Sequence, residues 1–248
     1  RVLDLECNYI GAKGAQHLTN SPILNNLTEL DLRENNIADE GMQYFINSLT
    51  LINLAHLYLG WNGITYEGVE HFTTLNSIAL PNLKSLSLES NLFGTEGARH
   101  LANSTILTNL TSLNLESNYI YYTGIQYLAN STTLTNLRKL YLVNNYILDE
   151  GVRYIANSTN FTNLRILSLL SNYINSEGIQ HLANSTILTN LTELDLECNN
   201  ISAEGVQHFA DSTTFTNLRK LDLRNNYIRD EGAQHLANST TLTNLTEL

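Results

Sequence analysis

Leu191 to Ile201 reads LTELDLECNNI, and this stretch decides how the rest of the chain is read. Its leucines at 191, 194 and 196, with Asn199 and Ile201, fit L-x-x-L-x-L-x-x-N-x-I. Leu194, Asp195, Leu196 and Glu197 alternate with the period of two of a half-buried strand, leucines to one side and charges to the other. Asn199 then ends the strand, because its side chain carries both an acceptor and donors for backbone groups that have left a sheet ladder.

The same asparagine returns at positions 8, 35, 62, 91, 118, 145, 172, 199 and 226, a period of 27 residues broken once by a spacing of 29. One such unit has a single apolar edge and cannot bury it alone. Stacked copies bury a continuous core and bring every asparagine into one ladder. After each strand and turn comes a helical segment such as SAEGVQHFADS, then a Ser/Thr/Asn loop leading to the next strand. Around Gly178, the residues Ile179, Leu182 and Ala183 lie three and four apart and share one inward helix face. The residue before the helical glycine is Glu at 40, 67, 96, 150, 177, 204 and 231, where a negative charge meets the positive end of a helix.

The LTELDL-type strands, the ladder asparagine and the following E-G-x-x-x-L-A helix, seen at Glu177, Gly178, Leu182 and Ala183, resemble a leucine-rich-repeat protein of the ribonuclease-inhibitor-like class. The resemblance covers the whole chain. It implies an α/β solenoid, a curved horseshoe with a parallel β-sheet on the concave face and helices on the convex face. Residues 1–248 are then one domain of about nine 27-residue repeats, opening and closing partway through a repeat, and the reading is of a fragment of a longer protein. The class includes inhibitors, immune receptors, activators of small GTPases and host-directed bacterial proteins, so the fold leaves the function open. The chain departs from the inhibitor in its nearly uniform repeat length and in having two cysteines rather than many.

The exceptions to uniformity fall in loops. Residues 73–82, TTLNSIALPN, hold two extra residues and Pro81, and Pro22 sits in a comparable loop; both read as tolerated insertions. The opening RVLDLE reads as a strand and not as a leader, and no apolar run approaches the roughly 18 residues of a membrane helix. Cys7 and Cys198 occupy one slot seven repeats apart, on the order of 30 Å, too far for a disulfide. That leans toward the cytoplasm, with secretion or delivery into a host cell as the other settings. Eleven N-x-S/T sequons, among them Asn103, Asn130, Asn157, Asn184 and Asn238, fall mostly at fixed repeat positions and read as a repeated polar loop.

With the leucines inside, the intervening strand residues form the concave surface. The first two repeats present Asp4, Glu6, Glu29, Asp31, Arg33 and Glu34; the third presents His56, Tyr58 and Trp61. Repeats six and seven place Lys139, Tyr141, Val143, Ile166 and Leu170 there, the eighth Glu193, Asp195 and Glu197, and the ninth Lys220, Asp222 and Arg224. Exposed aromatic and aliphatic side chains on a strand face are the residue types of binding hot spots. The candidate protein-binding residues are therefore His56, Tyr58, Trp61, Lys139, Tyr141, Val143, Ile166, Leu170, Glu193, Asp195 and Glu197.

A net charge of -11 disfavours nucleic acid and favours a basic protein partner. Six histidines, at 17, 71, 100, 181, 208 and 235, share a helical slot that elsewhere holds Tyr44, Tyr127 and Tyr154, so the slot reads as packing and not as a metal ladder. Tyr119, Tyr146 and Tyr173 follow their ladder asparagines and either pack along a rim or form a second contact surface. No phosphate-binding glycine loop, zinc spacing or nucleophile-base pairing is visible, and no cofactor is called for. The expectation is a non-enzymatic interaction module that binds a protein on its concave face. Regulation of a small GTPase and a spacer role in a larger sensor or effector are the alternatives, and uncovered leucine edges would allow end-to-end self-association.

Overall fold

The computed structural model describes residues 1–73 and 80–248; the two-residue insertion read in 73–82 lies largely outside them. Nine strands form one sheet in chain order: β1 Val2–Asp4, β2 Glu29–Asp31, β3 His56–Tyr58, β4 Ser85–Ser87, β5 Ser112–Asn114, β6 Lys139–Tyr141, β7 Ile166–Ser168, β8 Glu193–Asp195 and β9 Lys220–Asp222. All pairings are parallel and stay in repeat register, Leu140 opposite Leu167 and Leu167 opposite Leu194. Between them, among the described residues, run nine α-helices: α1 Ala12–Thr19, α2 Ala38–Ile46, α3 Tyr66–Glu70, α4 Gly94–Ala102, α5 Tyr121–Ala129, α6 Leu148–Asn157, α7 Ser176–Ala183, α8 Ala203–Asp211 and α9 Arg229–Asn238. This is the leucine-rich-repeat solenoid, with the sheet on the concave side and the helices behind it.

The core lies between these layers. Leu164, Leu167, Leu169 and Ile174 from one repeat, and Ile179 and Leu182 from α7 after it, are fully buried. Leucine suits this role because each residue buried here removes a large apolar side chain from water, about 2 kcal/mol of transfer free energy apiece. The strands are shorter than the alternation of Leu194 to Glu197 implies. β8 stops at Asp195, where the chain bends and the Asp195 carboxylate accepts the amide of Glu197 at 3.1 Å. Pairing nevertheless continues through the bend, with Leu196 N donating to Asp222 O at 2.9 Å and Cys198 N to Arg224 O at 3.0 Å.

Three polar ladders lock the repeats together. The buried Asn172 accepts the amides of Asn145 (2.9 Å) and Ile147 (3.3 Å) and donates to the carbonyls of Leu142 (2.8 Å) and Leu170 (3.0 Å). That arrangement requires the residue before each ladder asparagine to be left-handed, from Cys7 (φ 59°) to Asn225 (φ 55°). A second ladder runs along the opposite end of the strands, where Asn190 donates to Thr162 O at 2.9 Å and Asn217 to Thr189 O at 2.9 Å. The third is buried serine: Ser158, Ser185 and Ser212 donate to carbonyls at the end of the helix one repeat earlier, at Ala129, Ala156 and Ala183. Ser158 and Ser185 are the middle residues of NST tripeptides and Ser212 of a DST, so the recurrence of the serine has a structural cause.

Helix starts are also shared between neighbours. Each predicted glutamate sits in the first turn of its helix, as Glu177 does in α7. In two repeats an aspartate one residue before the glutamate serves the next repeat: Asp149 accepts the amides of Asn175 (2.7 Å) and Gly178 (3.0 Å) at the start of α7, as Asp39 does for Thr65 and Gly68. Gly178 is glycine because a Cβ there would collide with the Asp149 carboxylate and with Ile174. Among the described residues, no helix is long and apolar enough to cross a membrane.

Candidate functional site

Side chains on the concave face form rows that cross the sheet, one residue from each repeat. In one row Lys139, Ile166, Glu193 and Lys220 are successive Cα partners, and in the next so are Tyr141, Ser168, Asp195 and Asp222. A third row follows the strand ends, where Asn144 N donates to Leu170 O and Ser171 N to Glu197 O, bringing Val143, Leu170 and Glu197 side by side. Tyr141, Val143, Ile166 and Leu170 thus meet on repeats six and seven. Each is half-buried, with part of its apolar surface open to solvent.

A hollow of about 280 Å³ opens beside this group, lined by Tyr141, Ile166, Ser168, Glu193, Asp195, Lys220, Asp222 and Arg224. Ser168 donates to the Asp195 carboxylate at 2.8 Å and holds it at the hollow's floor. Burial, reinforced by the nearby Glu193 charge, raises the Tyr141 hydroxyl above its ordinary pKa, so the ring presents a neutral donor. The third-repeat residues stand apart. His56 and Tyr58 lie on β3, three strands from β6, and Trp61 lies beyond the strand at the left-handed position (φ 57°), 62% exposed on the rim. Tyr58 has the Arg33 guanidinium 5.8 Å from its ring centre.

The two ends of the face are closed by arginine clamps. Arg33 grips Asp31 (Nε to Oδ1 3.0 Å) and reaches Glu6 at 3.3 Å; Arg224 grips Asp222 at 2.6 Å and Glu197 at 2.5 Å. The clamp at Arg224 holds the Asp222 carboxyl below its usual range. In each of two acidic clusters close enough to share a cation, the guanidinium bridges two of the three carboxylates: Glu6 and Asp31 beside Asp4, and Glu197 and Asp222 beside Asp195. Between the clamps Glu89 and Glu116 follow one another in the third row. Burial, with the Glu89 charge adding to it, raises the Glu116 pKa. Sequence reasoning missed this pair and the part of Lys220, Asp222 and Arg224 in the hollow. The visible signal for Lys220, Asp222 and Arg224 was a charged residue two positions after another, which places them on one face, and for Glu89 and Glu116 it was the same residue type one repeat apart.

The rim tyrosines do pack. Tyr146 stacks on Tyr119 (6.1 Å) and on Tyr173 (5.6 Å), and Tyr121, two positions after Tyr119, joins at 5.5 Å. In the shared helical slot only His100 among the histidines is buried, and its pKa is lowered by burial and by the neighbouring Arg99 charge.

A continuous parallel sheet, an asparagine ladder and a varied concave face define a repeat solenoid of the kind that serves as an interaction scaffold. The chain belongs to the Leucine Rich repeat family, which matches residues 24–45, 50–72, 79–102, 107–129, 133–156, 188–210 and 216–237. Among solved structures it is similar to an internalin (inlF) from Listeria monocytogenes, at 22% identity and a TM-score of 0.56, over 94% of this chain and 69% of that one. At that identity the likeness speaks to the fold. No curated protein matches the sequence.

Proposed function

We propose that this chain is a non-enzymatic protein-binding module, ribonuclease-inhibitor-like in its repeat class, that takes a basic protein partner on the concave face of repeats six to eight. The observation that carries the reading is the half-buried group Tyr141, Val143, Ile166 and Leu170, set on a saturated frame with Glu116 on one side and Glu193, Asp195 and Glu197 on the other. Partly exposed aromatic and aliphatic side chains among charges are what a hot spot with a polar rim requires. The net charge of -11 adds long-range attraction for a partner with Lys or Arg near its apolar anchor. Residues 1–248 act in this reading as one domain, and the free thiols of Cys7 and Cys198 suit the cytoplasm.

Selection of peptides from a random display library on the immobilised chain tests the proposal. Enriched ligands should carry an aliphatic or aromatic anchor with Lys or Arg nearby. Tyr141→Ala with Leu170→Ala should weaken them at least tenfold, about 1.4 kcal/mol. Enrichment of acidic ligands, or equal binding by the double variant with its fold intact, would reject this site.

A further inference from the structure

Of the nine arginines in this chain, seven fall into two sets. Arg33, Arg99, Arg153 and Arg224 each hold a carboxylate within 3.3 Å. Arg138, Arg165 and Arg219 are exposed, and among the described residues their guanidinium groups have no ion pair or hydrogen-bond partner. All three occupy one repeat position, immediately before β6, β7 and β9, so they stand in a line on the sheet edge opposite the asparagine ladder.

Between two of them is a second hollow of about 280 Å³, lined by Arg165, Asn190, Thr192, Asn217, Arg219 and Asn244. Its lining contains no carboxylate, although the chain carries 24 of them against 13 Lys and Arg. The three asparagine amides are held in place by donating one N–H each to the preceding repeat, at Thr162 O (2.9 Å), Thr189 O (2.9 Å) and Thr216 O (2.6 Å). Each amide keeps a second N–H. The Thr192 hydroxyl is turned away from donor duty here, since it donates to Arg165 O at 3.0 Å.

Arg165 and Arg219 are two strands apart, about 10 Å between their backbones, so long side chains from both can converge on one ion seated over Thr192. A planar carboxylate occupies one guanidinium fork. Two facing forks with amide donors on a further side suit an ion with four oxygens. We propose that this edge hollow is a binding site for a tetrahedral phosphate group, carried either by a phosphorylated side chain of a protein partner or by free phosphate. The site lies outside the concave patch and does not depend on that patch's role. The chain also holds its own control: the equivalent hollow lined by Asn109, Thr111, Asn136, Arg138 and Asn163 has one guanidinium in place of two.

Titration of the intact chain with inorganic phosphate, followed by amide shifts in two-dimensional NMR, tests the site. Saturable shifts should centre on Asn190 to Thr192 and Asn217 to Arg219, with a dissociation constant on the order of 1 mM, as two charge-assisted contacts provide. Arg165→Gln with Arg219→Gln should weaken binding at least tenfold, and Arg138→Gln should leave it unchanged. Thermal melting of both variants should stay at the parent value, because these side chains hold nothing else in place. A phosphoserine peptide binding more tightly than inorganic phosphate would assign the group to a protein partner, and equal binding to free phosphate. Absence of saturation below about 20 mM, equal shifts at the Arg138 hollow, or undiminished binding by the double variant would overturn the site.

Discussion

In the row that follows the strand ends, Arg33 and Arg224 stand where Val143 and Leu170 stand further in. The backbone beneath them is the same, and the leucines on either side are equally buried in repeats two and seven, at Leu30 and Leu32 and at Leu167 and Leu169. The chemistry above it is opposite. Each arginine is saturated by an aspartate of its own strand and a glutamate of the preceding repeat. Each aliphatic residue is half-buried, with part of its apolar surface left open. Charged groups that satisfy one another have little to offer an incoming chain, since their mutual bonds would have to be broken first. The comparison teaches that exposure and charge do not by themselves mark the recognition surface on this scaffold; the absence of an internal partner does.

The separation of frame from face can be broken most severely at β7. Leu167 is fully buried at the centre of the sheet, and Leu167→Ala should cost about 2–5 kcal/mol. The half-buried neighbour Ile166 should cost about 1 kcal/mol or less when truncated to alanine. Urea denaturation of both variants measures the contrast, and similar midpoints would mean that the face is part of the core. Asn172→Ala comes next. It strands the buried amides of Asn145 and Ile147 and removes two donated bonds, for an expected loss of about 2–4 kcal/mol. Asn190→Ala removes a single exposed bond to Thr162 O and should lose about 1 kcal/mol or less. Equal losses would show that the two asparagine ladders bear the same strain.

The frame was legible in the sequence because its residues do one job in every repeat: Leu194 and Leu196 face inward, Asn199 bonds backbone, and Gly178 makes room. Repetition turns each such job into a period. What could not be read was contact between unlike residues of different repeats. Asp149 stands beside the glutamate of its own helix start and serves the next helix, 26 residues on at Asn175. The NST stretches read as a repeated polar loop, and their serines are buried donors to the helix of the preceding repeat. On the face, Arg33 and Arg224 read as open charge because a guanidinium's choice between solvent and Asp31 or Asp222 depends on rotamers that spacing does not determine. The tyrosine rim was half legible: Tyr119, Tyr146 and Tyr173 share a slot, but Tyr121 enters the stack from another.

The finest test of the comparison is Glu116, which lies in the same row as the clamped carboxylates Glu6 and Glu197 but has Val143 where they have an arginine in the next repeat, and Glu89 in the repeat before. Its folded pKa is raised by partial burial first and by the Glu89 charge second. A carboxyl whose pKa rises on folding costs stability when ionised, so the folded state should gain as the pH falls through that raised value and the group takes up its proton. Glu116→Gln removes the ionised form altogether. At pH 7 the variant should therefore be more stable than the parent, by about half a kcal/mol or less, because water reaches the group and screens it. As the pH falls below the ordinary carboxylate range the two proteins should converge, the protonated acid and the amide being nearly the same in shape and charge. Glu197→Gln should behave in the opposite sense, losing stability at pH 7 as the Arg224 clamp lets go of one of its two carboxylates. Chemical denaturation of the parent and both variants at pH 7 and pH 4 reads the two signs directly. If both substitutions destabilise at neutral pH, the centre of the face is as self-satisfied as its ends, and the distinction between them fails.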